Sequence, residues 1–164
     1  MVIIASTIYA LAMTGANLSI AYFGVWVSPI NSFLFIGLDL ALRDVLHTRL
    51  SKYQMLGLIV LSGLITYALN PSAGMIAIAS ASAFTLAALA DWSTFSVVKG
   101  SWMKRSNSSN TVGAAVDSIA FPTIAFGVLM PHIIALQFVA KVVGGFVWSL
   151  LLSRIVPQLQ NEES

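Results

Sequence analysis

Cysteine is missing from this chain, and charge is scarce. With no cysteine there are no disulfides and no thiol chemistry, and the redox compartment leaves no mark on the sequence. Charged residues make up 9% of the chain, against about 25% in soluble domains. The chain therefore lacks the polar surface needed to face water on all sides. It also lacks a Walker loop, a dinucleotide fingerprint, a metal-ligand cluster and a nucleophile motif, so no enzymatic activity, cofactor or metal is expected. The formal charge is +2, but the cations follow a membrane pattern, and no nucleic-acid partner is expected. The apolar N-terminal stretch has neither a basic leader region nor a convincing cleavage site, so it reads as a retained helix.

Apolar residues are abundant. They form 58% of the sequence, and the mean hydropathy is +0.89. Crossing a hydrocarbon core of about 30 Å takes about 20 mostly apolar residues. By that measure the 164 residues form a single transmembrane domain with six spans, at about 2–23, 31–48, 54–69, 73–97, 110–130 and 132–155. Pro29, Asn70-Pro71 and Met130-Pro131 break the apolar runs. The stretch 100–109, GSWMKRSNSS, reads as a polar loop, with Ser109 or Asn110 placed to cap the fifth helix.

The cations alternate. Arg49 and Lys52 follow the second span, Lys99, Lys104 and Arg105 follow the fourth, and Arg154 ends the sixth, whereas the other connections hold no Lys or Arg. The positive-inside rule then puts both termini in the cytoplasm. The expected fold is an all-α membrane protein, a six-helix transmembrane bundle, in the cytoplasmic membrane.

Six ionisable residues fall inside the spans: Asp39, Arg43, Asp44, Asp91, Asp117 and Lys141. Charges at such depth are costly and face a bundle interior or a watery cavity. They either tie helices together or line a polar site. Four carboxylates against two cations leave acids that must be protonated, hydrated or matched by donors of a ligand. At about 1.5 Å per residue, Asp39 and Lys141 lie roughly 12 and 13 Å below the outer face, which makes them candidate partners. Arg43, Asp44 and Asp117 share a deeper level, so Arg43 is expected against Asp117 or Asp44. Asp39, Arg43 and His47 form a stripe at i, i+4 and i+8, with Phe33, Ile36 and Leu40 opposite. Ala79, Ala83 and Ala87 allow close helix approach, and Gly144-Gly145 is either packing or a flexible point. Trp26, Trp102 and Trp148 read as an aromatic belt, while Trp92 adjoins a buried acid.

The segment ADWSTFSVVKGSW, followed by SNTVGAAVDSIAFPTIAFG, resembles the signature of the VUT family of vitamin uptake or queuosine-precursor transporters. GLDLALRD in the second span and the spacing from Gln137 to Lys141 are similar to it as well. The most specific piece is the run from Asn110 to Gly113 with Asp117-Ser118. The resemblance implies a six-helix importer of a 7-deazaguanine-type base such as 7-cyano-7-deazaguanine. It points to Arg43, Asp44, Asp91, Trp92, Asn110, Asp117, Gln137 and Lys141 as substrate-binding residues. The chain departs from the family pattern at Ala88, where an acid is usual, and at Asp39, where the family is usually uncharged. The expected partners are that small molecule and the lipid bilayer, with a homo-oligomer left open. Two other readings stand beside it: a substrate-binding membrane subunit of a multi-component uptake system, and a small pore-forming or structural membrane protein.

Overall fold

A computed structural model describes residues 2–47 and 49–155. Thr48, where the second span was expected to end, lies outside the described residues, as do the side chain of His47 and the C-terminal 156–164. Among the described residues all regular structure is helical. The helices are α1 (Val2–Phe23), a short α2 (Ser28–Asn31), α3 (Gly37–His47), α4 (Lys52–Leu69), α5 (Gly74–Val97), α6 (Trp102–Phe126) and α7 (Pro131–Ile155). A π-helical stretch, Ser32–Ile36, joins α2 to α3.

Local chemistry sets the ends. At the start of α4, the Ser51 hydroxyl accepts from the Gln54 backbone N–H at 3.4 Å, and the Gln54 side chain accepts from the Ser51 N–H at 2.8 Å. α6 ends on Gly127, whose φ of 70° few other residues adopt without strain.

Among the described residues, five helical stretches are long and apolar enough to cross a membrane: Val2–Phe23, Val25–Leu46, Lys52–Leu69, Pro71–Val97 and Pro131–Ile155. The span expected at 110–130 is not among them. Its helix begins at Trp102, inside the stretch expected to be a loop, and its N-cap is Ser101 rather than Ser109 or Asn110. The run from Lys104 to Thr111 is polar because much of it faces other helices: Ser106, Ser109 and Asn110 are all buried.

α1, α4, α5, α6 and α7 stand side by side as a curved wall. α2 and the π stretch close the gap between α7 and α1, and α3 occupies the middle. Every residue from Asp39 to Leu46 is buried. Ile36 and Leu40, on the apolar side of the expected stripe, pack against protein in the main core cluster. A helix buried all round needs no outward polar face.

Close backbone approach makes this possible. A Cβ added at Gly37 would lie 2.6 Å from the Gly144 carbonyl carbon, and one at Gly144 would collide with the Phe33 carbonyl oxygen. Gly144 is thus packing. On the other side, Ala79, Ala83 and Ala87 are completely buried, and Gly113 on α6 fits between the Ala87 carbonyl and Asp91. Trp102 is also buried, beside Val45 and Phe95, and does not belong to an aromatic belt.

Gly37→Ala should destabilise the fold by about 1–3 kcal/mol, because backbone rather than a movable side chain must yield. Gly57, on the exposed face of α4 with nothing within 4 Å of an added Cβ, is the control, and its change to alanine should be neutral or mildly stabilising. Thermal unfolding of the purified variants in detergent checks both, with a drop of several degrees expected for Gly37→Ala alone.

Candidate functional site

The buried polar residues form a column through the bundle. At the end where α1 leads into α2, Gln137 donates to the Ser28 hydroxyl at 3.0 Å and accepts from Lys141 at 2.9 Å. Lys141 also donates to the Ser118 hydroxyl at 3.1 Å and pairs with Asp117 at 2.7 Å. An ammonium has three N–H donors, and all three are engaged. One turn beyond Ser118 stands Pro122, which has no N–H to offer the Ser118 carbonyl. The second oxygen of Asp117 is buried and without a partner.

Next along the column, Arg43 pairs with Asp39 at 2.7 Å and lies over the Phe84 ring, 5.7 Å from its centroid. The Tyr9 hydroxyl adjoins this pair. Asp44 follows, accepting from Ser106 at 2.5 Å and from Ser109 at 3.3 Å. Ser106 and Ser149 lie 3.1 Å apart, and Asn110 donates to both, at 3.3 and 3.4 Å. Asp91, on α5, is fully buried and accepts no hydrogen bond at either oxygen.

The ion pairs differ from those expected from depth. Lys141 pairs with Asp117, not Asp39, and Arg43 pairs with Asp39, not Asp117 or Asp44. The depth estimate placed the start of α6 too late and ignored direction around each helix axis. Counted from the connection between α6 and α7, Asp117 and Lys141 lie at nearly equal distances, about 14 and 15 Å by helical rise. Asp39 and Arg43 are one turn apart on the same helix, where neighbours at i, i+4 meet.

Two cavities adjoin the column. One lies among α1, α2, α5, α6 and α7, lined by Asn17, Ser28, Asn31, Ser80, Asp117, Gln137 and Lys141 together with Phe84 and Phe121. It holds about 20 Å³, room for about one water molecule, so this conformation is closed. The second, of about 40 Å³, lies toward the opposite end, among Arg43, Lys52, Met55, Ala88, Leu89 and Trp92. Trp92 is 42% exposed, and the Lys52 ammonium sits 5.8 Å from its ring centroid. Of the eight residues singled out from sequence, Asp117, Gln137 and Lys141 share the first cavity and Arg43 and Trp92 the second. Asp44 and Asp91 line neither, and Asn110 instead borders a wide, open groove between α6 and α7 with Asn107, Thr111, Val142, Val143 and Phe146.

Sequence reasoning missed Asn17, Ser28, Asn31 and Ser106. Asn17 bridges α1 and α4 through Thr66 at 3.3 Å. Asn31 ties α2 to the Ala16 carbonyl at 3.1 Å. Ser106 stands four residues before Asn110, so continuing the α6 face by one turn would have found it.

Lys141→Met should cost about 3–5 kcal/mol, since it strands a buried carboxylate. Adding Asp117→Asn should recover a large part of that loss, whereas adding Asp39→Asn should not. Denaturation of the three variants in detergent measures the coupling, and equal rescue by both second changes would contradict the observed pairing.

Comparison with known proteins gives one family. A family model described as "Putative vitamin uptake transporter" matches residues 3–155. Among curated proteins and among solved structures, nothing matches the chain. The matched region covers every helix described above, polar column included, and the chain belongs to this vitamin uptake transporter family as an integral membrane protein.

Proposed function

We propose that the chain imports a small planar polar heterocycle, a 7-deazaguanine-type queuosine precursor, across the cytoplasmic membrane. In this reading α6 is a sixth span, both termini are cytoplasmic, and the first cavity opens toward the outside. Membership of an uptake family supports import, and the alternation of basic and neutral connections supports the orientation.

The observation that carries the reading is the partnerless oxygen of Asp117, held on a cavity wall beside Gln137. A deazaguanine offers a ring N–H and an exocyclic amino group, which a carboxylate accepts side by side. The Gln137 amide supplies a donor and an acceptor for the remaining edge. Phe84 and Phe121, on the same wall, can cover the flat ring. Lys141 acts chiefly as the counter-ion that holds Asp117 in place, because its own donors are already taken. Arg43 and Trp92 form a later station at the second cavity, and Asp44, Asp91 and Asn110 line the route between the α6 N-terminus and the Asp39–Arg43 pair. The first cavity must widen to load, and α2 with the π stretch is where the helical geometry of the second span changes along its wall.

Proteoliposomes holding the purified chain should take up labelled 7-cyano-7-deazaguanine. Asp117→Asn should lower uptake about 10- to 100-fold, the equivalent of losing a charge-assisted hydrogen bond of about 1.5–3 kcal/mol. Unchanged uptake in a folded Asp117→Asn protein would remove that residue from the site. Reporter fusions at Ser72 and Ser164 should report opposite sides of the membrane, and a shared side would exclude the six-span arrangement.

A further inference from the structure

Asp91 stands apart from the other described acids of the bundle. Asp39 and Asp117 each have a cation at 2.7 Å, and Asp44 has two serine hydroxyls. Asp91 is fully buried, and neither of its oxygens accepts a hydrogen bond. No charged group around it donates to it. From α3, Arg43 donates to Asp39 through one Nη while its Nε and other Nη reach no acceptor, and Asp44 brings a like charge close to Asp91. From α4, Lys52 sits over Trp92; from α6, Arg105 stacks on Phe95 at 4.0 Å and donates to its carbonyl. Lys141 of α7 belongs to the ion pair with Asp117, and the Tyr9 hydroxyl of α1 is buried beside the Asp39–Arg43 pair without a hydrogen-bond partner. Ser109 of α6 does adjoin Asp91, but its single proton goes to Asp44 or to the Ser106 carbonyl.

A carboxylate with no donor is unstable inside a bilayer-embedded bundle, whereas a carboxylic acid is itself a donor. With a proton on Asp91, no uncompensated carboxylate stands beside Asp44, whose two oxygens accept from Ser106 and Ser109. We infer that the buried, partnerless carboxyl of Asp91, close to Asp44, is a binding site for one exchangeable proton, and that this proton moves with the cargo. The second half of this statement rests on the import reading above; the first does not. Asp44 and Asp91 lie about 5 and 9 Å by helical rise from the helix ends that carry the basic connections, so the proton leaves on that side. Its departure leaves two carboxylates near Arg43, which is electrostatically within reach of Asp91. One proton enters with the base and one is released, and no other ion is required.

Infrared spectroscopy of the full-length chain in lipid at pH 7, without any cargo, tests the site directly. A carboxylic-acid C=O band that shifts in D₂O should be present. It should vanish in Asp91→Asn and persist in Asp117→Asn, where the remaining acids are unchanged. Because an amide replaces an uncharged group, Asp91→Asn should unfold at the wild-type temperature or above it, and Asp91→Glu should move the band rather than abolish it. No band at pH 7, or a band indifferent to both Asp91 changes, overturns the proton site. Coupling is then read in proteoliposomes with a trapped pH dye. Downhill uptake of 7-cyano-7-deazaguanine should acidify the lumen by about one proton per molecule, and uptake without acidification overturns the coupling. Absence of any uptake of that base would refute the cargo and leave the infrared result standing.

Discussion

Everything in this bundle depends on two glycines that meet. Where Gly37 faces Gly144, the backbones of the second span and α7 touch, and no side chain can be placed between them. In a bilayer, lipid is as apolar as leucine, so helices associate through close backbone contact and shared polar groups rather than by escaping water. The glycine crossing supplies the first and makes room for the second. It brings α3 into the centre, so Asp39, Arg43 and Asp44 must find partners within the protein.

Those partners come from every side of the wall. α6 gives Ser106 and Ser109 to Asp44, α5 sets Phe84 under Arg43, and α1 places Tyr9 beside the Asp39–Arg43 pair. The result is a graded column. It has a saturated ammonium at one end, an intrahelical ion pair in the middle, and a group of serines and acids at the other. Partnerless atoms are not spread evenly through it. They collect at Asp117, at the Asp39–Arg43 pair, at Asp91 and at Asn110, and buried groups of this kind usually mark places where something else is meant to bind or move.

Five of the helices were legible from apolar run length alone, because leucine, isoleucine and alanine at such density have few other uses. α6 was harder. Its polar first turns looked like a loop, since a stretch such as Lys104 to Thr111 is ordinarily solvated, and only the packing of Ser106, Ser109 and Asn110 against α3 and α7 explains it. Which residues are buried charges could be read from composition, but which of them pair could not. Helical rise gives height, whereas pairing also needs the direction around each axis, and that direction is set by the Gly37–Gly144 crossing. The same gap explains why Trp92 and Asp117, grouped by sequence, line different cavities. Gly144 itself could be read either way until its neighbour was known.

The polarity of α6 also constrains how the molecule is made. A segment carrying Asp117 and so many hydroxyl and amide side chains is poorly suited to entering a membrane alone, since a single central aspartate already opposes insertion by about 2.5–3.5 kcal/mol. α7 is strongly apolar and begins only a few residues after α6 ends. Asp117 and Lys141 face each other across that hairpin at matching distances from its turn. Inserted as a unit, the hairpin neutralises both charges before either meets lipid. In the six-span arrangement proposed above, biogenesis therefore favours a paired step in which α6 and α7 enter together, so that the most polar helix reaches the bilayer already accompanied by its counter-ion.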